Sequence, residues 1–364
     1  MKTEKTGVFN YPGTVRKINT IQSIRLLNTF RKNPITTMDD LFRNQGDFVE
    51  LSVGPKKIVI CSHPQLAEEV LRQKAPNYRK SRLVFDQIIP LTGRTGLVQM
   101  EGELGRTHRE YTGPGLNYEA ISAAYPLMVQ SISGGLEKIS AEGIHGKKID
   151  LSTYLTEIIL RNALILILGQ EDDTERLGKA FLEANRICGA RIRGLVPFSA
   201  YWPSSKNREL KKCIRSIDEA IFSLIEKRIK NSANQGPDLL SVLIRSNFAK
   251  SQIRDHVVTF LFAGYETTAS SLVWTLSLLS RNRQVEARIR DECGQIISGG
   301  SPTLPDLRKL SYTLNVYQES LRLFPPSWTL AREVTTETQL GGHILKKGTI
   351  VLLGVGAFHS DFCY

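Results

Sequence analysis

Ala263-Gly264-Tyr265-Glu266-Thr267-Thr268 lies inside one apolar-periodic run, Ser251 to Ser280, and Glu319-Ser320-Leu321-Arg322 follows on a later helix. A helix of that length crosses a whole domain at about 1.5 Å per residue. A small-residue pair beside an acid and two hydroxyls weakens a helix centre and leaves polar groups in need of partners. That pattern marks a place where something is bound or activated. Gly264 removes a side chain, so a bulky ligand can approach the backbone. The Thr267 and Thr268 hydroxyls are expected to bond back to carbonyls one turn earlier, where a disturbed ladder opens a groove for a water or a small diatomic ligand. Glu266 places a titratable group beside that groove, as proton relay requires. The same six residues also read as an ordinary core helix with two satisfied threonines and a surface acid.

Working outward, the pattern is helical over Ala120 to Ile139, Leu151 to Leu168, Glu175 to Cys188, Asn207 to Asn231 and Asp238 to Ser246. Beyond the long run, Val285 to Ile297 and Leu310 to Phe324 repeat it, and Thr338 to Leu353 reads as strands around Gly341-Gly342. Toward the N-terminus, Ile35 to Arg43 has helical spacing. Phe48 to Val53 alternates as a strand, Gly54-Pro55 turns, and Lys57 to Cys61 returns before a helix over Gln65 to Gln73. The fold class is therefore mainly α with a small β-sheet. A single domain over 1–364 is expected, with a sheet region at about 35–75, a helical body at about 100–330 and returning strands at about 334–353.

The 364 residues suffice for a large core, and the apolar and charged fractions, 41% and 23%, are those of a globular protein. No run of about 18 uncharged apolar residues occurs, since Ile158 to Leu168 is short and carries Arg161 and Asn162, so no membrane span is expected. Met1 to Leu27 lacks a continuous apolar segment, so no signal peptide or anchor is expected and the chain reads as cytoplasmic and soluble. Five scattered cysteines form no C-x-x-C pair and no zinc pattern, which reads as free buried thiols. The net charge of +12 is spread along the chain rather than gathered with aromatics, which excludes nucleic acid as a partner and leaves an acidic protein partner or a solvated surface.

Glu319 and Arg322 stand three apart on one helix face, a spacing that says little alone. Here the helix ends in Phe324-Pro325-Pro326, Arg332 follows in an extended segment, and a strand–turn–strand closes the order. These motifs resemble the cytochrome P450 family of haem-thiolate monooxygenases. The A/G-G-x-D/E-T-T/S helix matches at Ala263, Gly264, Glu266, Thr267 and Thr268, and the E-x-x-R helix at Glu319 and Arg322 with prolines after it. The Gly46-Asp47 to Gly54-Pro55 hairpin and the His63-Pro64 helix start resemble the family's N-terminal sheet. The resemblance covers the chain from about residue 35 onward.

The resemblance implies haem (iron protoporphyrin IX) as cofactor and insertion of one oxygen atom from O2 into a lipophilic small molecule. Electrons would come from a flavin or ferredoxin donor, so that NAD(P)H acts only through that partner. It implies that Thr267 activates oxygen, that Glu266 delivers protons, and that Ala263, Gly264 and Thr268 lie against the cofactor. It also implies that Arg332 pairs with a haem propionate, as guanidinium geometry suits. Gly102 to Arg109 is similar to the family's W-x-x-x-R helix, with Arg109 as the arginine and Gly105 in place of the tryptophan; His108 is the neighbour that could substitute, or else a surface histidine. The segment from Tyr78 to Met100 would line the substrate pocket, with Phe85, Ile88, Ile89 and Leu91 as wall residues or as ordinary core.

One departure is large. The family's iron ligand is a cysteine thiolate in an F-x-x-G-x-R-x-C-x-G loop, and no such loop occurs in the sequence. Cys363 has neither the glycine nor the arginine before it and is not expected to be the ligand, so no metal-ligating residue is assigned. The chain is thus expected to be C-terminally truncated and inactive as written, and Glu319 and Arg322 to form an incomplete buried pair. The alternative reading is a non-catalytic helical remnant that binds an apolar ligand or a protein partner.

Overall fold

The computed structural model describes residue 13 and residues 15–144, 148–169, 174–192, 204–231, 236–297 and 299–360. The first half of the chain forms β1 (Arg16–Ile18), α1 (Thr20–Lys32), α2 (Pro34–Gln45), β2 (Phe48–Val53), β3 (Lys56–Cys61), α3 (Pro64–Glu68), β4 (Tyr78–Lys80), α4 (Arg82–Phe85), α5 (Ile89–Thr92), α6 (Gly102–Thr112), α7 (Tyr118–Ile144) and α8 (Leu151–Leu168). The second half forms α9 (Thr174–Ile192), α10 (Ser205–Lys230), α11 (Leu239–Arg245), α12 (Lys250–Leu279), α13 (Arg283–Ile296), α14 (Leu304–Leu307), α15 (Ser311–Leu323), β5 (Leu330–Val334), β6 (Thr338–Leu340), β7 (His343–Leu345), β8 (Ile350–Leu353) and α16 (Val355–Ser360). These elements gather into two compact units, one holding the described residues up to Gln87 and from Arg322 onward, the other most of those between Ile88 and Leu321.

The first unit is built on a six-stranded sheet in the order β1-β2-β3-β8-β5-β4. β2 and β3 form the expected antiparallel hairpin, Phe48 opposite Cys61, turning at Gly54 with φ of 58°. β3 then pairs in parallel with β8, Ile58 opposite Ile350, so the sheet closes across most of the chain. Both faces are covered. Phe48, Val59, Cys61, Val351 and Leu353 pack on one side with Leu66 and Val70, whereas Val49, Leu51, Ile58, Ile60 and Ile350 pack on the other with Met38 and Leu41. Two-sided burial explains why Ile58 to Cys61 is a continuous apolar run rather than an alternating one. The helix expected over Gln65 to Gln73 changes character at its middle, with α3 giving way to a π-helical turn over Glu69–Gln73.

The second unit is helical. α12 packs along α8 and also meets α5, α10 and α11. Val257, Val258 and Leu261 are fully buried on it, as are Leu168 on α8 and Ile217, Ile221 and Ile225 on α10. Capping follows the residues: Asp150 accepts from the Ser152 N–H, Ser204 from the Asn207 N–H and Asp238 from the Ser241 N–H. α8 has the length and hydropathy of a membrane span, with a mean hydropathy of 1.5, which differs from the shorter run read in the sequence. It also packs on α12 and α7, with Leu155, Ile158, Leu160 and Leu164 among its buried residues.

Cys61 and Cys188 are buried free thiols, and Cys213 and Cys293 are partly exposed free thiols; Cys363 lies outside the described residues. Burial pushes the Cys188 thiol up to about 11 and Cys61 further still, so neither is a thiolate at neutral pH.

Candidate functional site

α12 carries the site because its sequence changes character halfway along. Its first three turns bury branched aliphatics, whereas Ala263, Gly264 and Glu266 are exposed and Thr267 and Thr268 half-buried. Thr267 Oγ1 donates to the Ala263 carbonyl at 2.9 Å and Thr268 Oγ1 to the Gly264 carbonyl at 2.7 Å, the back-bonds expected of threonines inside a helix. A Cβ placed on Gly264 would meet no atom within 4 Å. The helix centre therefore presents two exposed small residues flanked by two hydroxyls, and among the described residues no side chain comes within 4 Å of a Cβ at Gly264.

Hydroxyl contacts continue down the helix and tie it to α15. Ser271 Oγ donates to the Thr268 carbonyl at 2.7 Å and shares a 2.7 Å bond with the Tyr317 hydroxyl; Thr275 Oγ1 donates to Ser320 Oγ at 2.9 Å. On α15, Glu319 is exposed and Arg322 half-buried, which corrects the expectation of a buried pair. In the other direction the Asn185 amide, from α9, donates to the Tyr265 hydroxyl at 2.6 Å and to Glu266 Oε2 at 2.7 Å. Asn185 is buried, and burial, reinforced by the Glu266 charge, pushes the Tyr265 phenol well above its usual range. Asn185 thus holds Glu266 in place, and no local signal announces it because its partners lie 80 and 81 residues away.

The segment before α6 is fastened to α12 by close backbone approach. A Cβ at Gly96 would fall 2.1 Å from Thr259 Oγ1, and one at Gly93 1.9 Å from Asp255 Oδ1. Only glycine fits at either position. Asp255 Oδ2 accepts from the Thr95 N–H and hydroxyl at 3.0 and 2.7 Å, and Arg254 donates to Asp218 and to the Leu91 carbonyl. Of the proposed pocket-wall residues, Ile88 and Leu91 are buried core; Phe85 and Ile89 are partly exposed.

Arg109 is exposed on α6, and no carboxylate pairs with it among the described residues. Gly105 is buried, and a Cβ there would sit 3.1 Å from the Met100 carbonyl carbon, so the wall of α6 that a tryptophan would occupy is closed by backbone. His108 is not the surface histidine that one reading expected: it is buried, with Nδ1 2.8 Å from His256 Nε2 of α12. In the other unit, Arg332 is half-buried on β5 opposite Val351, with one Nη1 bond to the Ala331 carbonyl at 3.1 Å.

Within the helical unit these side chains suit a porphyrin: a small-residue strip for the flat face, hydroxyls and a tethered carboxylate for protons, and the exposed Arg109 guanidinium for a carboxylate. They do not supply an axial thiolate. Among the described residues no group of three or more histidine, cysteine or acidic side chains could hold a metal ion.

Comparison with known proteins agrees with this geometry. A family model described as Cytochrome P450 matches residues 12–363. The chain is 31% identical over 331 residues to cyclooctat-9-en-7-ol 5-monooxygenase of Streptomyces melanosporofaciens, covering 87% of the chain and 69% of that relative. It is 26% identical over 374 residues to the chloroplastic protein LUTEIN DEFICIENT 5 of Arabidopsis thaliana, covering 97% of the chain and 62% of the relative. In fold it is similar to retinoic acid-bound cyanobacterial CYP120A1, with a TM-score of 0.78 at 20% identity over 93% of this chain and 75% of that one. The chain thus spans between about three-fifths and three-quarters of the length of these proteins.

Proposed function

The chain belongs to the cytochrome P450 family of haem-dependent monooxygenases, and from that premise we propose that the strip on α12 seats haem for oxygen insertion into a lipophilic small molecule. The observation that carries the reading is the exposed Ala263-Gly264 pair, flanked by the Thr267 and Thr268 hydroxyls, at the centre of a 30-residue helix whose first turns are buried. Haem, when bound, supplies oxygen activation and one-electron chemistry that no side chain offers.

The residues then divide the remaining work. Ala263 and Gly264 would lie against the macrocycle. Arg109 on α6 would be a propionate partner, the planar fork of guanidinium matching a carboxylate. Thr267 spends its proton on the Ala263 carbonyl, leaving its oxygen lone pairs to accept from an incoming water. Thr268, bonded in the same way to Gly264, lines the strip beside it. Glu266, exposed at its outer edge and tethered by Asn185, exchanges protons with solvent and passes them inward. Electrons come from a flavin or ferredoxin donor. A lipophilic substrate is supported by the open apolar strip and by the name of the Streptomyces relative, an enzyme acting on a cyclic alkenol.

In any preparation that turns over, Thr267→Ala is expected to lower the fraction of reducing equivalents recovered in product by about tenfold or more, the scale of a lost proton-transfer group. Measuring product against NADPH consumed checks this, and unchanged coupling removes Thr267 from its role.

No F-x-x-G-x-R-x-C-x-G segment occurs within residues 1–364, so these residues by themselves are expected to bind haem without a thiolate ligand. Titrating purified chain with haem should give a saturable Soret change, while the reduced carbon monoxide complex should lack the red-shifted band of thiolate ligation. No saturable change contradicts the haem reading; a thiolate-type band contradicts the ligand assignment.

A further inference from the structure

α1 turns apolar side chains toward solvent. Its inner face packs on the sheet through Leu26, Leu27 and Phe30, and Ser23 Oγ accepts from the Ser52 N–H of β2 at 3.2 Å, which holds the helix in this roll. Its outer face carries Ile21 and Ile24, which are 67% and 55% exposed, together with the exposed Arg25, Asn28 and Lys32. At about 100° per residue these five side chains fall within roughly 100° of arc and form one continuous face. Two branched aliphatics more than half exposed, one turn apart, are not explained by the packing of the sheet.

The charge around that face has a single sign. From Gly13 to Met38 the sequence holds five basic residues and no acid. Arg16 on β1 is exposed, as are Arg25 and Lys32, and no carboxylate pairs with any of the three among the described residues. The next acids along the chain, Asp39 and Asp40, lie on α2, with Arg43 as a positive neighbour of Asp39. Aliphatics set among cations on one helix face suit an anionic bilayer: the apolar groups enter the interface while the long basic side chains stay at headgroup level. A folded acidic protein suits it less. One face of a 13-residue helix spans about 20 by 10 Å, well short of the ~800 Å² per partner that a stable protein interface buries.

We propose that the outer face of α1 docks the chain reversibly on anionic lipid bilayers, with Ile21 and Ile24 entering the interface and Arg16, Arg25 and Lys32 at the headgroups. Two aliphatics and a few cations give binding that is weakened by salt, not a permanent anchor. The 364-residue chain should cosediment at low salt with phosphatidylcholine vesicles that contain phosphatidylserine, and bind pure phosphatidylcholine vesicles about tenfold or more weakly. Arg25→Glu/Lys32→Glu should lower affinity for the anionic vesicles by about tenfold or more. Ile21→Gln/Ile24→Gln, which leaves the charge unchanged, should also lower it by about tenfold or more.

All four positions are exposed, so both double variants should unfold thermally as the wild type does. Ile24→Trp gives an independent check in a single variant: its emission should shift to the blue on anionic vesicles, and an unshifted band overturns the proposal. Absence of binding to anionic vesicles also overturns it, as does binding that neither double variant weakens. Self-association abolished by Ile21→Gln/Ile24→Gln, without vesicle binding, places a second copy on the face instead and overturns it. Binding to polyglutamate without vesicle binding overturns it in favour of an acidic protein. None of these measurements needs haem, so their failure leaves the haem reading standing.

Discussion

Asp238→Ala is expected to destabilise the chain by about 3–5 kcal/mol, because it strands a buried guanidinium. Arg228 and Asp238 have side chains only 7% and 10% exposed, with Nη1 2.9 Å from Oδ2. Arg228 also donates to Ser241 Oγ at 2.6 Å and to the Leu168 carbonyl at 2.8 Å, so this one side chain closes the C-terminal end of α8 while bridging α10 to α11. Asp238 in addition caps α11 through the Ser241 N–H. Removing the carboxylate thus deletes the cap and the counter-ion together, and the cap alone is worth about 1 kcal/mol. Asp238→Asn keeps a capping oxygen and should recover part of the loss. Urea unfolding of the three proteins checks this; a loss under about 1 kcal/mol for the alanine variant would show that water reaches Arg228.

The second large effect is at the opposite kind of position. Gly264→Phe should leave folding nearly unchanged, since a Cβ there meets no atom within 4 Å and φ is not in the left-handed region. The penalty is confined to the helix propensity difference, and replacing glycine even favours the helix by a few tenths of a kcal/mol or more. Haem affinity should nevertheless drop by about 100-fold or more, roughly 2.7 kcal/mol, because a ring now occupies the strip on which the macrocycle lies. Thermal unfolding and haem titration on the same protein separate the two. Wild-type affinity in a folded Gly264→Phe variant would place the porphyrin elsewhere.

The helical part of the fold was legible because its signal is local. Leu151 to Leu168 and Phe48 to Val53 coincide with α8 and β2, and the long run matches α12 to within one residue at each end. What periodicity could not show is pairing across the chain. β1, β4 and β5 are short strands of three, three and five residues, and each exists because a partner holds it, as Tyr78 opposite Val334 does for β4 and β5. α1 was missed because its buried face is interrupted: Ser23 is buried while Ile21 and Ile24 are exposed, so only Leu26, Leu27 and Phe30 of its apolar residues pack on the core. The candidate site divides in the same way. Thr267 and Thr268 were readable, since their back-bonds depend on residues four positions earlier. Asn185, Asp255 and His256 act through partners tens to hundreds of residues away, and the burial of His108 was not legible because its partner His256 lies 148 residues further on.

A crystal structure of the chain grown with iron protoporphyrin IX tests the central claim most directly. The macrocycle is expected within van der Waals distance, about 4 Å, of Ala263 and Gly264, with the Thr267 hydroxyl on the same face of α12. A porphyrin seated on any other surface, or side chains closed over Gly264 with no porphyrin there, contradicts it.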